Sequence, residues 1–391
     1  MKVLIVSLFG VSVTGRVSKV IKHVFPDDDV TVVTSDFSHG SKRYVGPDTA
    51  PADFRTVRLH VSAYSKNVSF RRIFSHMGFA RSVRRYLDSL SSLPDLVYCP
   101  MPPSASACVV GKFCKKHGIP FVVDVIDLWP DSLVAVLPFH KLLSPALYPW
   151  TRMTRKAYRA ADYISGESKA YAEVAHRLNP DVPWSYTYLG SDYSAARRLI
   201  EESGVSLDKP SDEIWIGYGG SLGQSYDFDV ILKGIAYIRD KGVKYRMWFI
   251  GDGEKADYIR QTARELGLDV VITGRVEYRD FLKYLSYCDI AVNSFKENTL
   301  VVHSSKFNDY VSTDCFILNN LKGETASMLD EYGVGRTFDA SSFNKILLDT
   351  IKNWTSIEPG LKERLGQLRS ALLDTDTIYG RLRADILNSL F

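Results

Sequence analysis

The sequence predicts an α/β protein built from two Rossmann-like domains, and three observations predict it. Short β-branched or aromatic runs alternate with stretches of helical period, the pattern of parallel strands joined by crossover helices. The alternation breaks once, at the polar, charged, Pro-containing stretch 190–212, and resumes at Ile214. At 391 residues the chain is also too long for one ordinary core.

Taken in order, residues 3–9 read as a strand, 17–24 as a helix and 30–34 as a strand. Residues 69–87 form a basic amphipathic stretch, with Ile73, Phe74, Met77, Ala80, Val83 and Leu87 at helical spacing beside Arg71, Arg72, Arg81, Arg84 and Arg85. Strands at 96–99 and 121–126 flank a helix at 104–117. A second basic helical face follows at 150–161 (Arg152, Arg155, Lys156, Arg159), then strands at 163–166 and 184–189. The first domain is placed at 1–195 and the second at 196–374. In the second domain, helices are expected at 230–240, 256–266 and 279–288. The terminal segment 375–391 carries Ile378, Leu382, Ile386 and Leu390 at helical spacing and is expected to return as a helix bracing the first domain.

Composition narrows the class. A formal charge of +4 with no aromatic-and-basic recognition module gives no reason to expect nucleic acid as a partner. The five cysteines form no CxxC pair and read as buried reduced thiols of a cytosolic chain. The apolar start MKVLIVSLFG reads as a first strand rather than a signal peptide. No stretch approaches the roughly 20 apolar residues of a membrane span. The expectation is a cytoplasmic protein whose basic amphipathic stretches either rest on the inner face of the plasma membrane or are core-facing helices with a solvated basic side.

The second half is the more informative. Its strand-like runs end in glycines and acids: IWIGYGGSLGQ (214–224), MWFIGDGE (247–254), VVITGRV (270–276), CDIAVNSFKEN (288–298) and SSKFNDY (304–310). Ligands of open α/β sheets lie at the carboxyl ends of the strands, so these loops describe a site for a phosphate-bearing nucleotide with a sugar-like group. Glycines such as Gly219, Gly220 and Gly223 let backbone N–H groups approach phosphate oxygens, ahead of the positive N-terminus of the next helix. The alternative is a tight turn without a ligand.

These segments resemble the second domain of GT-B glycosyltransferases, with family 4, the retaining transferases of polysaccharide and lipid-linked glycan assembly, the nearest match. DVIDLWPDS (124–132) resembles the DLWP segment of transferases that build bacterial surface polysaccharides, and YLGSD (188–192) resembles the family's interdomain hinge. The resemblance covers nearly the whole chain. It implies a nucleotide-diphosphate sugar donor, of UDP or GDP type, in the second domain and a glycan or lipid-linked saccharide acceptor in the first, with no cofactor and no required metal.

It also implies residue roles. Gly274, Arg275 and Val276 stand where the family holds the base through backbone groups, while Gly251, Asp252 and Gly253 form a turn that mostly shapes its loop. Glu297 keeps the position of an acid near the donor sugar. Asp309 takes the place of the acid that accepts from ribose hydroxyls, because a carboxylate can accept from both at once. The family's Arg and Lys near the glycine loop are replaced by Ser221 and Tyr226, so Lys306 is expected to offset the charge that grows on the leaving diphosphate. Asp127 is expected to orient the transferred sugar or the acceptor, with Asp124 as the alternative. Trp129 either forms an acceptor platform or simply packs. Gly15 and Arg16 in the first loop are candidates for acceptor or phosphate.

His140 and His303 have no Ser or Cys at nucleophile spacing, no His/Cys/Asp cluster suggests zinc, and no DxD pair follows a strand. The expectation is front-face transfer of a hexose-type sugar without metal or covalent nucleophile. Two rivals stand beside it: a nucleotide-sugar epimerase, which needs no acceptor, and a non-catalytic partner subunit whose donor site has decayed at Ser221, Tyr226 and Ser305.

Overall fold

A computed structural model describes residues 1–11, 15–46, 54–65, 69–130, 140–297 and 304–391; the side chains of 140–146 and of Ser305 are outside that description. The chain divides into two compact units: Met1–Leu189 with Thr375–Phe391, and Gly190–Asp374. The division falls a few residues before the expected 195/196, because the polar stretch opens with a helix, Tyr193–Glu202, that belongs to the second unit.

The first unit is built on β1 (Lys2–Val6), β2 (Asp29–Ser35), β5 (Arg55–Leu59), β6 (Leu96–Met101), β7 (Phe121–Val125) and β8 (Tyr163–Gly166). They form one parallel sheet in the order β5-β2-β1-β6-β7-β8, and a small antiparallel ribbon, β3 (Phe37–Ser38) with β4 (Arg43–Tyr44), stands beside it. The strands β6 and β7 are buried along their whole length, as expected where helices cover both faces of a parallel sheet. One face packs Leu4, Val6, Val97 and Val123 against Phe79, Val83 and Leu87 of the helix Phe70–Asp88. The other packs Val3, Ile5 and Val122 against Ile378, Tyr379, Leu382 and Ile386 of the terminal helix Thr375–Leu390. Those four side chains complete a core that the preceding chain leaves open, and each contributes roughly 1.5–3 kcal/mol of apolar burial.

The first unit departs from the expected pattern in three places. Residues 184–189 form no regular strand: Trp184 makes an isolated bridge with Ile164, and the Ser185 and Thr187 amides donate to the Ile164 and Gly166 carbonyls of β8. Arg55–Leu59, an edge strand of sequence RTVRL, pairs with β2 alone and escaped notice for lack of an apolar run. The predicted helix at 17–24 is a single α-turn, Arg16–Lys19, continued by a π-helical turn, Val20–Val24.

The second unit repeats the architecture. Here β9 (Ile214–Gly219), β10 (Tyr245–Ile250), β11 (Val270–Ile272), β12 (Ile290–Asn293), β13 (Phe316–Asn319) and β14 (Gly335–Thr337) form a parallel sheet in the order β11-β10-β9-β12-β13-β14. The order reverses at β9, where the neighbouring connections run to opposite sides. This is the topological switch point at which such sheets bind ligands.

All five cysteines are free, with no disulfide among them. Among the described residues no helix is long and apolar enough to cross a membrane, and no group of three His, Cys, Asp or Glu side chains could hold a metal ion.

Candidate functional site

A cleft of about 1030 Å³ opens at the carboxyl ends of β9 and β10, lined by Gly220, Ser221, Gly251–Gly253, Arg275–Tyr278, Phe281 and Asp309 among others. It brings together five of the sequence-derived donor residues: Gly220, Ser221, Arg275, Val276 and Asp309. Four others lie beside it in the chain or in contact with its walls: Gly219, Gly223, Gly274 and Lys306. A smaller depression at the other end of the first sheet, around Lys2, Arg55 and Leu93, collects none of the candidate residues.

The glycines divide into different roles. The Gly219 amide donates to the Tyr310 hydroxyl at 3.1 Å, and its carbonyl accepts from Lys306 Nζ. The Gly220 amide donates to the Ile250 carbonyl at 2.8 Å, and the Leu222 amide to that of Asp252 at 2.9 Å. Among the described residues no partner accepts from the amides of Ser221 and Gly223. The loop therefore offers two amides from the expected stretch, while Gly219 and Gly220 serve the fold. Gly220 has φ +111°, and a Cβ there would stand 2.3 Å from Lys306 Nζ. Gly251, with φ +149°, would place a Cβ 2.0 Å from the Gly220 carbonyl oxygen. The GDG turn is thus required for the close passage of two loops, which matches its reading as a shaping turn. The helix after the glycine loop, Phe228–Asp240, does not present a bare N-terminus: Asp227 caps it, accepting from the Val230 amide at 3.2 Å. Its positive end is already offset by its own carboxylate.

Lys306 lies in the first turn of the helix Ser305–Ser312 and is buried. Its ammonium reaches under the glycine loop, 4.3 Å from the Tyr218 ring centre and 4.5 Å from that of Tyr226. Burial lowers its pKa from the usual lysine value to about 7, with Asp309 partly opposing the shift. Tyr226, which stands where the family's basic residue is expected, forms one wall of this aromatic cage. Burial likewise raises Asp309 to about 6, against the opposing pull of the Tyr278 hydroxyl and Lys306. Tyr278 donates to Asp309 Oδ1 at 2.8 Å and stacks on Phe281, ring centres 5.9 Å apart. Sequence reasoning missed Tyr278 because its partner lies 31 positions further along the chain; only its place in the VEYRD segment could have drawn attention to it.

Glu297 is exposed and does not line the cleft. It follows Phe295, which bridges to Tyr226, so its backbone is held near the cage. His303 lies outside the described residues.

In the first unit, Asp127 follows β7, is half-buried, and accepts from the Leu128 amide at 2.7 Å. Trp129 is buried in an aromatic cluster, stacked on His76 at 5.7 Å with Arg72 4.3 Å above its ring. Arg16 is committed to the fold: its Nε and Nη2 pair with both oxygens of buried Asp124 at 2.6 and 2.8 Å, and Nη1 donates to the Thr187 carbonyl. That fork engages both Arg16 and Asp124 in the fold of the first unit. Gly15 caps the short Arg16–Lys19 turn, and its carbonyl accepts from the Lys19 amide at 3.2 Å.

Residues 26–190 match the model of a glycosyl transferase 4-like domain. Solved structures align over both units. Anabaena HepE, crystallised with UDP, is 13% identical with a TM-score of 0.67, and 100% of each chain is covered. The chain has the GT-B fold. Sucrose-phosphate synthase from Thermosynechococcus elongatus is 13% identical with a TM-score of 0.67 over 99% of each chain. WaaG, a glycosyltransferase involved in lipopolysaccharide biosynthesis, is 13% identical with a TM-score of 0.61, covering 98% of this chain and 99% of its own. No curated protein matches. Within the GT-B frame, the second-unit cleft lies at the switch point of its sheet, and the 4-like domain coincides with most of the first unit.

Proposed function

We propose that the protein is a retaining glycosyltransferase. On this reading it moves a hexose-type sugar from a nucleotide-diphosphate donor, held by the second unit, to a saccharide acceptor held by the first. The observation that carries the reading is the convergence at one cleft of two free loop amides, a caged lysine and a carboxylate. A diphosphate needs donors and a cation; a ribose needs an acceptor for its vicinal hydroxyls. Ser221 and Gly223 amides take phosphate oxygens, Lys306 offsets the charge of the departing diphosphate, and Asp309 accepts from ribose with Tyr278 holding its other side. Gly274–Val276 border the place for the base, and Asp127 and Glu297 orient sugar and acceptor. No metal is assigned to the reaction.

The uridine series is the first choice of donor, since the HepE structures hold UDP or UDP-glucose. The likeness to WaaG, a glycosyltransferase of lipopolysaccharide biosynthesis, and to the lipopolysaccharide outer-core galactosyltransferase WaaB supports a surface-polysaccharide setting. Exposed Phe70 and Phe74 at the start of the helix Phe70–Asp88, beside exposed Arg71, Arg81, Arg84 and Arg85, support peripheral contact with anionic lipid and a lipid-linked acceptor.

The test is thermal denaturation with UDP, GDP, TDP and CDP in the presence of EDTA. A ligand of the native state raises apparent stability by about 2.7 kcal/mol at a hundred times its dissociation constant. A shift with one nucleotide identifies the base and the donor class; no shift with any returns the decayed partner subunit. Conversion of the sugar nucleotide without acceptor would instead identify an epimerase.

A further inference from the structure

The first unit contains a second cluster that the donor chemistry does not use. Helix Phe70–Asp88 turns Arg72 and His76 inward, and the loops after β1, β3, β5 and β7 bring Phe9, His39, Lys42, Tyr64 and Trp129 around them. Arg72 is buried, sandwiched 4.3 Å from the Trp129 ring and 6.0 Å from those of Phe9 and Tyr64. Lys42 lies 5.0 Å over the other aromatic, Tyr64, and 3.3 Å from His39 Nδ1, which also meets the Tyr64 hydroxyl at 2.6 Å. Burial first, then the Arg72 charge, lowers Lys42 and the neighbouring imidazoles: His39, with Lys42 adding to the effect, falls to about 4 and His76 to about 3.

Two observations point to a ligand. Lys42 adopts φ +56°, left-handed backbone that a non-glycine residue occupies at a cost and that recurs at functional sites. His76 is 5% exposed, yet among the described residues its Nε2 has no hydrogen-bond partner. A buried polar atom of this kind is a place where a ligand group can bond. Phe9, 37% exposed, presents an open aromatic edge beside the cations. Asp127 faces Arg72 and adds an acceptor for hydroxyls.

We propose that this cluster is the acceptor's recognition site and that it selects a saccharide bearing an oxyanion, a phosphate ester or a uronate, with the ring against Phe9 and the anion against Arg72 and Lys42. It rests on the glycosyltransferase reading and deepens it. Arg72 forks onto the oxyanion, Lys42 supplies a second charge from the strained turn, and the neutral His76 imidazole bonds a hydroxyl or phosphate oxygen.

Calorimetric titration of the full chain with glucose 6-phosphate, glucuronate, glucose and inorganic phosphate tests it. The two charged sugars should bind about tenfold or more tightly than glucose, the scale of a charge-assisted contact. Arg72→Gln should abolish that preference. Because Arg72 also packs, Lys42→Ala, at a turn, is the second variant and should cut the preference at least about threefold. Equal binding of glucose and glucose 6-phosphate, or an unaltered preference in Lys42→Ala, overturns the proposal. Phosphate binding as tightly as glucose 6-phosphate, and insensitive to Phe9→Ala, overturns the saccharide assignment. A UDP shift without oxyanion binding removes this inference alone, whereas loss of the UDP shift removes the donor reading.

Discussion

Nucleotide-diphosphate binding should draw a proton from solvent, and Lys306 is the group that takes it. In the unliganded site burial holds the Lys306 pKa at about 7, so at pH 8 most molecules carry a neutral amine there. A phosphate charge about 5 Å away at an effective dielectric of about 20 contributes about 3 kcal/mol, or about two pKa units, which moves the lysine to about 9. Binding at pH 8 then takes up about 0.8 proton, and affinity falls about sixfold between pH 7.5 and 8.5. Asp309, at about 6, is ionised in both states at this pH and contributes nothing to the difference. The terminal phosphate is ionised as well, its second pKa lying at about 6. Calorimetry with UDP at pH 8 in two buffers of different ionisation heat measures the uptake directly, and Lys306→Met should remove it along with most of the affinity. A heat independent of buffer, with affinity flat across this range, would refute the assignment of Lys306 to the diphosphate.

Asp309 gives a stability prediction of opposite character. Its folded pKa is raised, so the stability tied to it is complete below pH about 4 and lost as pH rises through about 6. Asp309→Asn should therefore gain on the wild type across that window, by about 1–2 kcal/mol at pH 7 after allowing for partial exposure, while binding UDP about tenfold more weakly. Equal urea midpoints at pH 4 and pH 7 would count against the burial of this carboxylate. Gly251→Ala should lose about 2–4 kcal/mol and its UDP shift, because the new Cβ has no room at 2.0 Å from the Gly220 carbonyl; normal melting would mean the two loops pass less closely. Arg16→Gln should cost about 3–5 kcal/mol in urea unfolding by leaving Asp124 charged and unpaired. A loss below about 1 kcal/mol would return Arg16 to the list of ligand contacts.

Much of the fold was legible because a parallel sheet buried on both faces writes itself as short continuous apolar runs. Strands β1, β6, β7, β9 and β10 are of that kind, and so is the terminal helix with its apolar residues three and four apart. Edge strand β5, with arginines at two of its five positions, carries no such mark, and the run at 184–189 carries the mark but follows β8 only as far as Thr187, as an isolated bridge with two further amide bonds. Ligand loops were legible where glycines follow strands, since close backbone approach restricts residue type.

The sequence by itself determined which loops could meet a nucleotide: local composition sets strand ends, turns and the presence of a carboxylate and an amine in the segment that holds Lys306 and Asp309. Only the tertiary structure decided what those groups do. It spent the Gly219 and Gly220 amides on strand and tyrosine, left those of Ser221 and Gly223, capped a helix with Asp227, and locked Arg16 onto an aspartate 108 positions away. It also gathered Arg72, Lys42, His76 and Phe9 from separate loops into one cluster. Hydrogen bonds and desolvation depend on distance in space, and separation along the chain does not encode that distance.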